Sequence, residues 1–381
     1  MAEMKYYPPI PSLRTADVHI NPENPKFHDE NRLWQGIPSI EKVGNRLWAA
    51  WYSGGPNEPG WGNFALYSYS DDDGLTWKKN FMAVDSCDEN CDRVFDPNVW
   101  LSPEGELFLT YAQTRVMKAY EPIDRMWTFY DGVFGAWFIK CKNPEGENPQ
   151  FEEPFRMCDG LMMNKPTVLS TGEWVAPAYD WMPPVHAKSD SLLGRGKGEY
   201  RYHMRISADC GKNWDILVGP VKEQYAEFDE SMFLEGADKS WHFFVRVKDG
   251  IDYFYSDNRG ETWEKRELGF KIASSRFFVR RLSSGKVLFV CSGPNRTRME
   301  ARLSSDDCKT WSQSLIIDDR EKVSYPDGTE DCDGNIYIAY DCDRYGEKEI
   351  LFAKFTEADI EAKTFISEGS FTKRIINKLP K

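Results

Sequence analysis

The sequence predicts an all-β fold, a six-bladed β-propeller of four-stranded antiparallel blades. Two observations carry this: four copies of one turn motif at blade-like spacing, and six strand openings in phase with them. The turn copies are Ser70-Asp71-Asp72-Asp73-Gly74-Leu75-Thr76-Trp77, Ser207-Ala208-Asp209-Cys210-Gly211-Lys212-Asn213-Trp214, Ser256-Asp257-Asn258-Arg259-Gly260-Glu261-Thr262-Trp263 and Ser304-Ser305-Asp306-Asp307-Cys308-Lys309-Thr310-Trp311. In each, an Asp or Asn side chain can bond the amides of its own turn, and Gly takes the positive-φ position. The Trp then packs over the turn from the outgoing strand. Cys308 replaces Gly in the last copy, so that turn is expected to be the most strained or most altered. The first residues of the copies lie 137, 49 and 48 residues apart. Two of these intervals match one blade of roughly 40–50 residues, and the first is long enough for more than one.

The strand openings are Gly36-Ile37-Pro38, Asp96-Pro97-Asn98, Lys165-Pro166-Thr167, Glu230-Ser231-Met232, Arg276-Phe277-Phe278 and Tyr325-Pro326-Asp327. Most lead into a short apolar strand, a tight turn such as Val43-Gly44-Asn45 or Ser283-Ser284-Gly285, and a second apolar strand. Six such hairpins imply six blades, each opening at an innermost strand. Leading residues of innermost strands converge on one mouth of a propeller's channel. Round the ring they are Gln35/Gly36, Asp96, Lys165, Glu230, Arg276 and Tyr325, an ionisable side chain in five of six places. Any one of them read singly is equally well a solvated turn residue.

At 381 residues the chain is expected to be one domain, 1–381, with an N-terminal arm over 1–30 and a C-terminal extension over 361–381 closing or packing on the propeller. Its 14 Trp suit a core of broad, flat side chains. Mean hydropathy is −0.61, and no apolar run approaches the roughly 18 residues of a membrane span. The start Met1 to Ile10 lacks a basic stretch followed by an apolar one, so a cytoplasmic chain is expected, although a trimmed secreted protein would look the same. Nine scattered cysteines, an odd number, argue against a disulfide framework. Cys87 and Cys91 could form half a zinc site, but no second pair follows, and no metal or other cofactor is expected. A net charge of −13 argues against a nucleic-acid partner. An anionic ligand would need a local cationic pocket.

The turn motif is the Asp box. Together with the Ile37-Pro38 strand near one end and the Tyr325 strand near the other, it makes the chain resemble the sialidase (neuraminidase) superfamily from about Trp34 to Ile360. The Asp box alone is moderately specific, since non-enzymatic propellers carry it too. Such enzymes use a Tyr nucleophile with a Glu partner, an Asp acid/base and three Arg that clamp the substrate carboxylate. A neutral phenol suits an anionic sugar that would repel a carboxylate nucleophile, and a planar guanidinium binds carboxylate bidentately. The resemblance implies Tyr325 as nucleophile, Glu230 as its partner, Arg246 as the second clamp residue and Arg296 as the third, with Arg298 as fallback.

Two family features depart here. Gly36 stands where the first clamp arginine should be, and Arg32 lies four residues upstream. Positive charge from Arg344 or Arg276 is one solution; the other reading of Arg344 is a simple pair with Asp341 and Asp343. The loop Gly54 to Asn63, where the acid/base Asp belongs, holds only Glu58, with Asp96 and Asp327 as rivals facing the mouth. Lys165 joins the candidate substrate contacts. The expected function is a sialidase-like, retaining exo-glycosidase acting on a terminal, anionic sugar of a glycan. The alternatives are a non-catalytic carbohydrate-binding propeller, or a relative acting on a non-sialic sugar by different chemistry. The polar loops Glu145 to Pro154 and Ala187 to Gly198 are expected at the mouth or an interface.

Overall fold

The second strand of a propeller blade is covered on both faces by neighbouring blades, so its sequence must be apolar at consecutive positions rather than alternating. The stretches Arg46–Gly54, Val287–Gly293 and Ile336–Cys342 satisfy this, and every residue in them is buried. The computed structural model describes residues 15–58, 62–86, 92–115, 135–158, 160–179, 201–222 and 230–381. Over these it shows the six-bladed propeller that the repeat predicts.

The first blade runs outward from Trp34–Val43 through Arg46–Gly54, Phe64–Ser70 and Lys78–Asp85, with Asp17–Ile20 added as a fifth, outermost strand. The second comprises Asp92–Leu101, Leu107–Arg115, Gly135–Cys141 and Phe155–Cys158. The third comprises Thr167–Val168, Trp174–Ala176, Arg201–Ser207 and Asp215–Val221; a short ladder of Leu161–Met162 with Ala178–Tyr179 accompanies it. The remaining blades open with Ser231–Glu235, Phe278–Arg281 and Val323–Glu330. Phe371–Lys378, inside the expected C-terminal extension, is the outer strand of the sixth blade.

All four Asp boxes join the third and fourth strands of a blade, in the first, third, fourth and fifth blades, so the 137-residue interval skips the second. In the first copy the Ser70 hydroxyl accepts the Gly74 N–H at 2.9 Å, and Asp72 accepts the Thr76 N–H at 2.8 Å. Cys308 keeps that geometry: its N–H reaches Ser304 Oγ at 2.9 Å. The turn is therefore not altered, but Cys308 sits at φ +65°, a conformation that costs a non-glycine residue roughly 1–2 kcal/mol. The loop from Glu145 packs beneath the first blade, where the Asn45 N–H reaches Glu145 Oε1 at 3.3 Å, rather than at the mouth. Ala187 to Gly198 lies outside the described residues, as do Cys87 and Cys91.

The ring closes between the sixth and first blades through buried carboxylates. Asp327 Oδ2 accepts from Ser39 Oγ at 2.6 Å and from the Ile40 N–H at 3.0 Å. Asp341 Oδ2 accepts the Ile37 N–H at 2.9 Å. Asp327 thus belongs to the closure and not to the mouth as expected.

Lys165 and Arg276 also depart from expectation. The Lys165 ammonium is buried, donating to the carbonyls of Ile40 and Gly328 and lying 3.1 Å from Glu41 and 3.2 Å from Asp327. The fully buried Arg276 guanidinium donates to the carbonyls of Met163 at 2.9 Å, Pro38 at 2.5 Å and Tyr325 at 3.1 Å. Each cation ties together carbonyls from different blades. Bulged inner strands leave carbonyls without ladder partners, and a long cationic side chain satisfies several at once. The two residues staple the inner strands together.

Candidate functional site

Three inner strands open with the same device. The ladder register slips between Gly36 and Ser39, between Phe95 and Asn98, and between Ser324 and Asp327. Each slip contains an X-Pro pair whose proline cannot donate to a ladder, so a bulge is the place for it. The residue before each proline is forced into the left-handed region: Ile37 at φ +59°, Asp96 at +47° and Tyr325 at +56°. For a branched residue such as Ile37 this is a strained backbone, of order 1–3 kcal/mol, held by the surrounding structure. Ile37, Asp96 and Tyr325 come from the first, second and sixth blades, and all three line one cavity.

That cavity, of about 280 Å³, is lined by these three with Tyr52, Glu58, Arg93, Phe95, Met163, Glu230, Arg246, Arg296 and Arg344. A larger one of about 540 Å³ opens where the inner strands of the second to fifth blades end, between apolar side chains and the separate charges of Lys165, Glu235, Lys239, Arg280 and Arg281. The smaller cavity holds the coupled titratable groups and is the candidate site.

At its floor, Tyr325 Oη donates to Glu230 Oε1 at 3.3 Å. Arg246 Nη1 bridges the two, 2.7 Å from Glu230 Oε1 and 3.1 Å from Tyr325 Oη, and Ser274 Oγ accepts from its Nε at 3.2 Å. The guanidinium carbons of Arg344 and Arg296 lie 4.9 and 5.2 Å from the Tyr325 ring centre. Burial and then Glu230 push the Tyr325 phenol up to about 12, against the lowering pull of Arg246, Arg344 and Arg296. The phenol is therefore neutral at pH 7 and loses a proton only to a base in contact, which Glu230 is.

Arg344 occupies the space that Gly36 leaves. A Cβ on residue 36 would lie 2.4 Å from Arg344 Cδ, so the glycine and this arginine are mutually dependent. The guanidinium pairs with Glu58 and lies 3.9 Å from Asp341 Oδ2. Burial opposes its charge, but Glu58 and Asp341 outweigh that and hold it ionised. Glu58 also accepts from the Tyr52 hydroxyl. The carboxylate foreseen as an acid is thus already engaged by a cation and a phenol.

Asp96 differs. Burial, reinforced by Glu58 and Glu230 and opposed by Arg93 and Arg276, raises its carboxyl to about 8. Its Oδ1 is buried and, among the described residues, has no hydrogen-bond partner. The group is protonated at neutral pH. Because its pKa in the folded state is raised, its protonation contributes stability that is complete below the ordinary carboxylate range and lost as pH climbs from about 4 to about 8. We expect Asp96→Asn to be close to neutral for stability at pH 4 and stabilising by a few kcal/mol at pH 8, checked by urea midpoints at both pH values.

Arg298 is half exposed and pairs with Glu300 at 3.1 Å, so Arg296 supplies the third blade-borne guanidinium. Arg32 is buried away from the cavity, bonding Gln35 and Ser53 at 3.2 Å each. Sequence reading missed Arg93, whose guanidinium carbon lies 3.7 Å over the Phe95 ring. An arginine three residues before Asp96 in the same inner strand was the available signal. Among the described residues, no cluster of three or more His, Cys, Asp or Glu is placed to hold a metal, and no helix is long and apolar enough to cross a membrane.

The BNR repeat-like domain family matches residues 44–338. No curated protein shows a significant match. Among solved structures, a protein of unknown function from Dyadobacter fermentans is 17% identical, with 88% of this chain and 96% of that chain covered at a TM-score of 0.62. The Hadza microbial sialidase Hz136 is 15% identical over 87% of this chain and 67% of its own, at 0.63. The NanB sialidase from Streptococcus pneumoniae is 14% identical over 92% and 72%, at 0.59. At these identities the likeness is one of fold.

Proposed function

The chain belongs to the BNR repeat-like domain family with the propeller fold of sialidases, and we propose that it is a retaining exo-glycosidase releasing a terminal anionic sugar from a glycan. The observation that carries this reading is a neutral phenol 3.3 Å from a carboxylate and ringed by Arg246, Arg296 and Arg344. A phenol beside guanidinium groups is a nucleophile suited to a substrate whose negative charge would be repelled by a carboxylate.

In the proposed reaction the substrate carboxylate lies against the three arginines. Tyr325 Oη bonds to the anomeric carbon while its proton passes to Glu230. The glycosidic oxygen leaves with the proton of Asp96, which burial keeps available below pH 8. In the second half a water gives its proton to the Asp96 carboxylate and its oxygen to the anomeric carbon, and Tyr325 leaves, recovering the proton from Glu230. Glu58 is not given this role because its carboxylate is already bound by Arg344 and Tyr52.

The same Glu58–Arg344 pair favours the second reading, a sugar-binding propeller without turnover, because an incoming carboxylate has to share or displace Glu58. A panel of aryl glycosides of sialic, uronic and neutral sugars separates the two. Release of the aryl group from an acidic member supports the enzyme; binding without release from any member overturns it. Gly36→Ala tests the clamp. The added methyl displaces Arg344, and KM for the acidic substrate is expected to rise roughly tenfold to a hundredfold, as befits one lost charge-assisted contact of about 1.5–3 kcal/mol. An unchanged KM would remove Arg344 from the clamp.

A further inference from the structure

The candidate cavity does not end at Arg296. That side chain also lines a second, larger recess of about 890 Å³ between the fourth and fifth blades. The two are joined by Ser274, which holds Arg246 in the cavity, binds the Val247 carbonyl at 2.6 Å and lines the recess. The recess is built from the Val247–Gly250 strand connection, the segment entering the fifth blade and the Pro294–Arg296 turn, all at the end of the blades where the inner strands open. It is a groove leading away from the site on the same face.

Its charge runs against that of the molecule. Its walls carry Lys248, Lys265, Arg266, Lys271 and Arg296 against Asp249, Asp252 and Glu267, two more basic than acidic groups, in a chain of net charge −13. Lys265 is matched by Asp252 at 3.0 Å and Arg266 by Glu264 at 2.8 Å. Lys248 and Lys271 are exposed and, among the described residues, paired with no carboxylate. Phe270 and Ile272, half-buried, add apolar surface between the charges, a lining suited to the flat apolar faces of sugar rings.

We propose that this groove binds the part of the glycan beyond the cleaved bond, and that it selects an anionic one, a sulfated or otherwise acidic sugar residue near the terminal unit. The proposal rests on the glycosidase reading of the adjoining cavity. A local cationic groove on an acidic surface attracts negative charge at short range while the rest of the surface repels it, which gives selectivity more than raw affinity. Terminal sugars with bulky acidic aglycones gain from it; free monosaccharides do not reach it.

The test uses two sets of probes with a common terminal sugar, titrated calorimetrically into the Tyr325→Phe protein at about 0.15 M salt, where exposed charges are screened beyond about 8 Å. One set is sialic acid, 3′-sialyllactose and sulfated 3′-sialyllactose. The other is glucuronic acid with unsulfated and sulfated chondroitin tetrasaccharides ending in glucuronate. In at least one set the sulfated member is expected to bind about tenfold tighter than the unsulfated one, a difference that shrinks below about twofold in a Lys248→Glu/Lys271→Glu variant of unchanged melting temperature. Equal affinity of sulfated and unsulfated members, or discrimination that survives the double variant, overturns the groove and leaves the cavity's role intact. Sulfated oligosaccharides that bind in a Lys248- and Lys271-dependent way while no single acidic sugar binds would support the groove and count against the glycosidase reading. Binding of none overturns both.

Discussion

Tyr325→Phe is expected to lower turnover of an acidic aryl glycoside by at least about a thousandfold, with the thermal transition displaced little. The variant removes one oxygen from a buried side chain at the cavity wall. That oxygen accepts from Arg246 at 3.1 Å and donates to Glu230 at 3.3 Å, and Arg246 retains Glu230 without it. The loss is therefore one of chemistry: the other phenol of the cavity, Tyr52, rests on Glu58, a carboxylate already paired with Arg344, whereas Tyr325 is the phenol that Glu230 and the arginines surround. Glu230→Gln is expected to lose a similar factor, since the phenol, held at about 12, then has no base to take its proton. The two losses are expected not to multiply in the double variant, because the residues act as a unit. Measured kcat for the two single variants and the double variant checks this. A Phe variant that keeps a tenth of the activity removes Tyr325 from the reaction.

The second large effect concerns stability. Arg276→Met is expected to destabilise the fold by roughly 3–5 kcal/mol, because it leaves the carbonyls of Met163, Pro38 and Tyr325 without their donor at the centre of the ring. The measurement is the urea midpoint. Arg296→Met, at the rim of the same cavity and only partly buried, is expected to cost under about 1 kcal/mol while weakening binding of an acidic sugar. A clamp role for Arg276 would invert this pattern: little loss of stability and a large loss of binding.

This contrast marks how far the sequence was legible. The blades follow from backbone chemistry that is local in the chain. Asp boxes, tight turns and doubly buried strands each carry their signal within eight to ten residues, and the phase they set placed Asp96, Glu230 and Tyr325 on the cavity wall. Which side of the mouth a charged residue serves is not local. Lys165, Arg276 and Asp327 open or follow inner strands just as the cavity residues do, yet they turn inward to carbonyls and amides that the bulges leave unpaired. Their partners come from other blades, more than a hundred residues away for Lys165 and Asp327 and for two of the three carbonyls that Arg276 holds, so no spacing rule reveals them. Arg344 was legible as one of two candidates; what singles it out is the missing Cβ at Gly36, a steric fact visible only when the first and sixth blades meet.

The reading of Asp96 as the acid depends on burial, which the sequence does not express directly. Its short Asp-Pro-Asn context suggests an exposed turn, whereas the left-handed bulge turns it into the cavity, where burial raises the carboxyl to about 8. Activity that requires the protonated form is expected to fall as pH rises through about 8, and Asp96→Asn is expected to lose most of its rate on glycosides with poor leaving groups and less on activated ones.

The proposed reaction requires Tyr325 to form a bond to sugar. Fluorinated glycosyl fluorides of acidic and neutral sugars, incubated with the protein and followed by peptide mass spectrometry, test this directly. One glycosyl adduct is expected from an acidic member, on the peptide carrying Tyr325, and it is expected to disappear in Tyr325→Phe. An adduct on Glu230, Asp96 or Glu58 instead, or hydrolysis of the acidic fluoride with no adduct at any time point, would contradict the proposed reaction.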